Sequence, residues 1–168
     1  MGNVNRGKDF ENIVRKGFSC VSGCTIDRQH DQTSGFKGSA NICDFTLYKY
    51  PFYTYLECKT THEKSLRFEN ISKNQWDGLL KKSKYKGVIA GILVWFINYD
   101  QTIFIPINTL NDLRCSGMKS VSLQYLEDNN LKFYYVKGKK KQVFFEYNFA
   151  DLLIRLYMDK EAEMYDRI

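Results

Sequence analysis

The sequence predicts an α/β protein: a single domain with a central mixed β-sheet flanked by helices. Three observations support this fold class. Apolar residues recur at helical spacing in several separate segments, two β-rich runs flank a short turn near residue 50, and the apolar run Val88–Phe96 is typical of a strand buried on both faces. The chain has 168 residues, which is the size of one domain, so we assign residues 1–168 to a single unit.

Composition narrows the possible functions. Hydrophobic residues make up 43% and charged residues 26% of the chain, which excludes disordered and fibrous classes. The formal net charge of +6 is compatible with an anionic partner such as nucleic acid. The N-terminus has no apolar signal region, and the longest apolar run is well short of the roughly 20 residues of a membrane helix, so we expect a cytoplasmic protein with no membrane partner.

The five cysteines are odd in number and have no disulfide-framework spacing. This usage predicts reduced thiols in a reducing compartment. Cys20 and Cys24 resemble half of a zinc site, but no second Cys/His pair follows at metal-ligand spacing. We therefore do not expect structural zinc.

The first element is a helix over about residues 6–17, because Phe10, Ile13 and Val14 recur at helical spacing. Glu11 lies at the edge of this stripe and can face a cleft while its neighbours face the core. A polar, glycine-bearing loop follows up to Cys43, with one short strand at Thr25–Arg28.

Two β-rich runs, Asp44–Tyr48 and Phe52–Lys59, then read as a hairpin. A turn centred between Tyr50 and Pro51 places Tyr48 opposite Tyr53 and Asp44 opposite Glu57. Pro51 fits poorly into an ideal two-residue turn, but a longer loop with the same centre keeps this pairing.

The next helix begins at a capping box of Ser72 and Gln75, with Ile71 and Trp76 as a hydrophobic staple, and ends before Gly87. The strand Val88–Phe96 follows, and the run from Thr102 to Ile107 is its expected partner strand. A short helix over about residues 109–114 comes next.

The C-terminal part predicts a second hairpin and a last helix. The hairpin joins Lys132–Val136 to Gln142–Tyr147, with residues 137–141 at its tip. Asn148 and Asp151 cap the helix, whose buried face has four members. They are Phe149, Leu152, Leu153 and Leu156.

Asp44, Glu57 and Lys59 form the pattern D-x12-E-x-K. Residues two apart on a strand share a face, so Glu57 and Lys59 point together, and the predicted pairing adds Asp44 to them. Two carboxylates about 5 Å apart repel by roughly 3 kcal/mol at an effective dielectric of 20, unless a cation offsets the repulsion. An all-oxygen site of this kind favours Mg²⁺ or Mn²⁺ over zinc. The alternative is a solvated strand face, on which a chance ExK string is common.

Three blocks in order make the chain similar to the RecU-type Holliday junction resolvases, which are restriction-endonuclease-like nucleases with a PD-(D/E)xK site. The first block is Asn5-Arg6-Gly7-x-x-Phe10-Glu11, and the second is Asp44 with Glu57 and Lys59. The third block runs from Ser65-x-x-Phe68 through Asn70-Ile71 to Gln75. The chain departs from the family pattern at Ile42-Cys43, where a Thr-Thr pair is usual, and at Tyr55, where an acidic residue is common.

The resemblance implies a restriction-endonuclease-like core and a role for each matching residue. Asp44 and Glu57 would bind Mg²⁺ or Mn²⁺ with the Cys58 backbone carbonyl, and Glu11 would assist through water or a second metal. Lys59 would position the attacking water and offset charge on the phosphoryl group. Gln75 is expected beside the site, although a capping-box residue needs no catalytic role.

Basic residues supply the expected DNA-binding surface, because neutralising the phosphate backbone needs no sequence specificity. Two clusters stand out, one within Lys73–Lys86 and one within Lys132–Lys141, and each could instead be a solvated surface. The candidate residues are Arg6, Arg28, Lys37, Lys73, Lys81, Lys82, Lys84, Lys137, Lys139, Lys140 and Lys141.

Taken together, the residues and the resemblance predict a metal-dependent endonuclease that nicks paired strands of a four-way DNA junction. A homodimer is implied, since two-fold symmetry supplies two equivalent sites for two cuts. Two alternatives stay open. One is a nuclease of the same fold acting on linear duplex or flaps, in the manner of a restriction enzyme, and the other is a noncatalytic DNA-binding accessory protein of recombination.

Overall fold

The computed structural model describes residues 5–29, 41–141 and 144–165. The helices in these ranges are α1 (Arg6–Ser19), α2 (Lys73–Ser83), α3 (Ile107–Cys115), α4 (Leu123–Asp128) and α5 (Phe149–Tyr165). The strands are β1 (Thr25–Arg28), β2 (Phe45–Lys49), β3 (Phe52–Thr61), β4 (Ser65–Arg67), β5 (Val88–Phe96), β6 (Gln101–Pro106), β7 (Ser120–Ser122), β8 (Tyr134–Tyr135), β9 (Gly138–Lys141) and β10 (Phe144–Tyr147).

A six-stranded mixed sheet in the order β1-β2-β3-β5-β6-β8 forms the centre of the fold. Strands β3 and β5 are parallel, and every other neighbouring pair in this sheet is antiparallel. The connection between the two parallel strands contains α2, as a parallel crossover requires. The predicted α/β class with a central mixed sheet and flanking helices is confirmed.

Helices cover both faces of the sheet and define two cores. On one face, α1 contributes Phe10, Val14 and Phe18, and α5 contributes its predicted apolar stripe. On the other face, α2 packs against β5 and α3 packs against β5 and β6, with Trp76 and Leu79 buried from α2 and Leu126 added from α4. Strand β5 lies between the two cores and is buried along nearly its whole length, as its continuous apolar sequence predicts.

The hairpin of β2 and β3, which we call the first hairpin, has the predicted register. Tyr48 pairs with Tyr53, and the ladder runs from Lys49–Phe52 at the turn to Phe45–Leu56. The turn has only two residues, and the Tyr50–Pro51 peptide bond is cis. The longer loop that we considered is therefore not used.

The prediction for the second hairpin is wrong in its pairing. Tyr134 and Tyr135 pair with β6 at the edge of the central sheet, and the second hairpin consists of β9 and β10. Residues 138–141, predicted as a hairpin tip, are strand β9. The reason is burial: Tyr134 and Val136 pack into the core, whereas β9 is exposed along its length and pairs with β10 outside the central sheet.

Other local predictions are confirmed to within a few residues. The capping box of Ser72 and Gln75 is formed at the start of α2, and Asn148 accepts a hydrogen bond from the Asp151 amide at the start of α5. The short elements β4, β7 and α4 were not predicted, since three to six residues carry too little periodicity. No helix within the described ranges is long and apolar enough to span a bilayer.

Candidate active site

Two carboxylates are fixed by the backbone of the first hairpin. Glu57 lies in the middle of β3, opposite Ile92 of β5, and only 2% of it is exposed. Asp44 lies one residue before β2, and its Oδ2 atom accepts a hydrogen bond of 2.8 Å from the Cys58 amide. The Asp44 carboxylate is therefore held against β3 beside Glu57, as the predicted pairing requires.

Lys59 and Gln75 complete a hydrogen-bonded cluster around Glu57. The Lys59 Nζ atom lies 2.8 Å from the Glu57 Oε1 atom, and Gln75 Nε2 donates to the same oxygen at 2.6 Å. Lys59 Nζ also donates to Gln75 Oε1 at 3.3 Å. The structure thus brings together Asp44, Glu57, Lys59 and Gln75 from one hairpin and one helix start.

Gln75 serves the helix and the cluster at the same time. Its Oε1 atom accepts from the Ser72 amide at 3.0 Å, which closes the capping box, while its Nε2 atom contacts Glu57. The two interpretations of this glutamine are therefore compatible. The cap fixes the side chain, and the fixed side chain orients the carboxylate.

Burial disfavours the charged form of both carboxylates, and the charge of Asp44 adds to this effect at Glu57. Burial, followed by the nearby charge of Asp44, raises the pKa of Glu57 to about 7. Burial also raises the pKa of Asp44, although the Cys58 amide and Lys59 oppose the rise. The Glu57 Oε2 atom is buried without a hydrogen-bond partner. Lys59 does not fully offset the buried Glu57 and the half-buried Asp44, because one oxygen of Glu57 stays without a partner.

Glu11 of α1 lies at the edge of the same region. Its Oε2 atom is 2.5 Å from a guanidinium nitrogen of Arg28, which is the last residue of β1. Burial raises the pKa of Glu11, and so does the charge of Asp44. A cavity of about 310 Å³ opens between Glu11, Asp44 and Gln75. Glu11, the fifth predicted site residue, therefore faces the other four across a cleft and is paired with Arg28.

A hard divalent cation fits this donor set. The unpartnered Glu57 oxygen and the Asp44 carboxylate supply oxygen ligands, and their repulsion would be relieved by a cation. Among the residues that the structure describes, no three His, Cys, Asp or Glu side chains converge as a complete metal cage. A site of two carboxylates with backbone and water ligands suits Mg²⁺ or Mn²⁺ better than zinc.

The predicted basic residues fall into three groups by their partners. Lys73, Lys140 and Lys141 form ion pairs with Asp77, Asp100 and Glu146. Arg6 and Lys82 lie over the rings of Phe144 and Tyr55, at 5.5 Å and 5.2 Å from the ring centroids. Arg28 is held by Glu11. The remaining residues of the set are Lys81 and Lys84 near the end of α2, and Lys137 and Lys139 around β9.

Lys37, the last predicted DNA-binding residue, lies outside the described residues. Four other residues line the cavity without having been predicted as site residues, namely Lys8, Gln29, Asn41 and Cys43. Lys8 lies one helical turn before Glu11, so the spacing of α1 could have indicated it. Gln29 follows β1 and donates to Thr46 of β2 at 3.0 Å. Finding Gln29 required the pairing of β1 with β2, which no sequence pattern revealed.

Comparison with known proteins gives a family and a fold neighbour. The model of the family RecU, recombination protein U, matches residues 6–147. Among solved structures, one that matches is Hjc from Archaeoglobus fulgidus, a Holliday junction resolvase from an archaeal hyperthermophile. It is 19% identical, with a TM-score of 0.45, over 62% of this chain and 75% of that one. No curated protein matches the chain.

Proposed function

The chain belongs to the RecU family of recombination proteins, and from this premise we propose that it is a metal-dependent endonuclease that resolves four-way DNA junctions by paired nicks. Residues 1–168 would form one nuclease domain with a restriction-endonuclease-like core. The single observation that carries the proposal is the buried Glu57 carboxylate, one oxygen of which has no hydrogen-bond partner, held beside Asp44 and Lys59. A strand face that served only solubility would not bury a glutamate with an orphan oxygen.

Asp44 and Glu57 would hold Mg²⁺ or Mn²⁺ together with the Cys58 backbone carbonyl. When bound, such an ion supplies positive charge at the scissile phosphate and lowers the pKa of a water ligand. Glu11 would contribute from across the cleft, through water or a second ion. Its pairing with Arg28 keeps the free carboxylate compensated.

Lys59 would position the attacking water and stabilise charge on the phosphoryl group. The Lys59 ammonium group lies 2.8 Å from a Glu57 oxygen, and it would act as a cation and not as a base. Gln75 would fix the Lys59 and Glu57 side chains relative to each other, since it contacts both. It is therefore a positioning residue.

The basic residues predicted above would bind the phosphate backbones of the junction arms. We propose that the protein is a homodimer, since paired nicks need two equivalent sites. We also propose a cytoplasmic location, which the five free thiols support.

A cleavage assay with three labelled substrates tests the function. Four-way, flap and linear DNAs are incubated with Mg²⁺ and the wild type, with Asp44→Asn and Lys59→Ala as test variants. Asp128→Asn, an exposed carboxylate on α4, is the matched control. The proposal expects symmetric nicks in the junction, lost in both test variants and kept in the control.

Each alternative predicts a different result in this assay. Equal cutting of the linear duplex would replace the junction resolvase with a general or restriction-like nuclease, and a preference for the flap would indicate a flap endonuclease. Binding of the junction without metal-dependent cleavage would leave a noncatalytic accessory protein.

A further inference from the structure

Three tyrosines, two of them exposed, continue the row of proposed site residues along the first hairpin. Tyr55 and Tyr53 lie two and four positions before Glu57 on β3, so they share its face of the sheet. Tyr48 of β2 is the direct partner of Tyr53. We call Tyr48, Tyr53 and Tyr55 the tyrosine face. It leads from the active site toward the hairpin turn.

The rings of the tyrosine face form one continuous surface. The ring centroids of Tyr53 and Tyr55 are 5.2 Å apart, and those of Tyr48 and Tyr53 are 6.5 Å apart. Tyr48 is 44% exposed and Tyr53 is 37% exposed, while Tyr55 is partly covered. Tyr50 in the turn is exposed even more, at 80%. Exposed adjacent aromatic rings on a single face are unusual for a solvent surface.

The charges around this surface favour an anionic occupant. The Lys82 ammonium group lies 5.2 Å from the centroid of the Tyr55 ring, and Lys81 and Lys84 belong to the same end of α2. Acids on this face include Asp27 of the neighbouring β1, opposite Thr46, and the site carboxylates Asp44 and Glu57, which the proposed metal ion would offset. With that ion bound, the lysines at the end of α2 outweigh Asp27.

We propose that the tyrosine face stacks on unpaired bases of the DNA strand that enters the active site. Aromatic rings next to cations are the usual means of binding single-stranded nucleic acid without sequence preference. Same-face residues on a strand are about 7 Å apart, so Tyr55 and Tyr53 lie about 7 Å and about 14 Å along the strand from Glu57. The inference rests on the proposed function and refines it: the enzyme prefers a strand that is open beside the scissile phosphate.

The first test is binding in EDTA, which prevents cleavage. Fluorescence anisotropy compares a labelled oligothymidine single strand with a labelled duplex of equal length. The double variant Tyr48→Ala/Tyr53→Ala is expected to bind the single strand about tenfold more weakly and the duplex almost unchanged. Tyr48→Phe/Tyr53→Phe keeps both rings and should bind like the wild type. Tyr125→Ala, an exposed tyrosine on α4, is the matched control.

A second measurement separates base stacking from hairpin stability. Abasic sites are placed in the junction strand next to the scissile phosphate. If the tyrosines stack on those bases, the abasic substrate weakens wild-type binding but does not weaken binding by the double alanine variant any further. Thermal unfolding of each variant is measured alongside, so that a variant that fails to fold is replaced by the single substitution Tyr53→Ala.

Three outcomes would overturn the inference. Equal weakening for single strand and duplex would indicate loss of general phosphate contacts. Independent, additive effects of the abasic sites and the alanines would exclude contact between them. A change of mass from dimer to monomer in light scattering would show that the face is an interface between copies.

Failure of this inference differs from failure of the proposed function. If the wild type cuts junctions but the alanine variants keep normal strand preference, only the tyrosine face is wrong. If the wild type cuts no DNA with Mg²⁺ or Mn²⁺ while stacking is observed, the nuclease assignment is wrong and the binding surface remains.

Discussion

The two hairpins have the same topology but differ in burial. The first hairpin belongs to the central sheet and buries Phe45, Leu47 and Leu56 together with a carboxylate at its inner end. The second hairpin stands outside that sheet, and every residue of β9 is exposed. Burial fixes register in the first, where a one-residue slip would turn apolar residues to solvent. In the second hairpin, β10 supplies the contact with the core, through Phe144 and Tyr147.

This difference in burial gives the glutamates of the two hairpins pKa shifts of opposite sign. In the first hairpin, Glu57 is buried and its pKa is raised to about 7. In the second, Glu146 is exposed and the neighbouring Lys141 lowers its pKa. A carboxylate with a raised pKa beside a second carboxylate is prepared for a cation. An exposed carboxylate paired with lysine only reduces the positive charge of the surface around it.

The largest expected effect comes from replacing these two glutamates in turn. Glu57→Gln should lower the rate of junction cleavage by about a thousandfold, because it removes an oxygen charge that we propose holds the metal. Glu146→Gln should leave the rate within about twofold, since the exposed pair it breaks is weak. Single-turnover cleavage at saturating enzyme measures both. Comparable losses would mean that burial does not distinguish the two sites.

The stability of the two hairpins should differ next. Leu56→Ala should lower the free energy of unfolding by about 3 kcal/mol, because it leaves a cavity beside Phe45 in the core. Phe145→Ala in β10 should lower it by about 1 kcal/mol or less, since this ring is only partly buried. Urea denaturation gives both values. A larger loss for Phe145→Ala would show that the second hairpin is integral to the core.

Lysines of the second hairpin should affect binding and not chemistry. The triple variant Lys139→Ala/Lys140→Ala/Lys141→Ala should weaken junction binding about tenfold and reduce its dependence on salt concentration. Lys59→Ala should keep binding within a few fold while cleavage is lost. Anisotropy titrations at several salt concentrations make the comparison. An unchanged salt dependence in the triple variant would remove the second hairpin from the DNA surface.

The smallest effect is on stability without metal. The raised pKa of Glu57 means that the folded protein binds more protons than the unfolded chain between the usual value of 4.5 and about 7. The free energy of unfolding therefore falls as pH rises through this window. Asp44→Asn removes the neighbouring charge, so at pH 8 in EDTA the variant should be about 1 kcal/mol more stable than the wild type.

Glu146 in the second hairpin has a pKa shift of opposite sign and serves as the comparison. The lowered pKa of Glu146 contributes stability above its usual value of 4.5, and this is lost as pH falls below it. Between pH 6 and pH 8, the free energy of unfolding of Glu146→Gln should therefore fall with rising pH just as that of the wild type does. Thermal unfolding from pH 5 to pH 8 measures both variants. A wild-type stability that rises with pH would contradict the raised pKa of Glu57.

Sequence reasoning reached the first hairpin because local rules and burial agree there. The turn centre near Pro51 and the alternation of β3 predict which residues face one another, and the ladder confirms it. The same rules failed for Tyr134 and Tyr135, whose partner β6 is about thirty residues away along the chain. Burial against a distant strand outweighed the nearest-neighbour hairpin, and periodicity does not show such pairing.

The contacts within the site were less predictable than its members. Asp44, Glu57 and Lys59 followed from spacing and resemblance. The placement of Glu11 against Arg28, and of Gln29 beside the cleft, depends on β1 joining the sheet edge. A side chain with one hydrogen-bond partner in a helix cap and another in the site, such as Gln75, is visible only in three dimensions.

Binding of Mn²⁺ to the protein without DNA tests the central claim most directly. Calorimetric titration at pH 6.5 in two buffers of different ionisation enthalpy reports both the binding and the protons released. The account predicts saturable binding with net proton release, because Glu57 has a pKa of about 7 and must lose its proton to bind the ion, and predicts loss of this binding in Asp44→Asn. Saturable binding of equal strength in that variant, or none in the wild type, would contradict it.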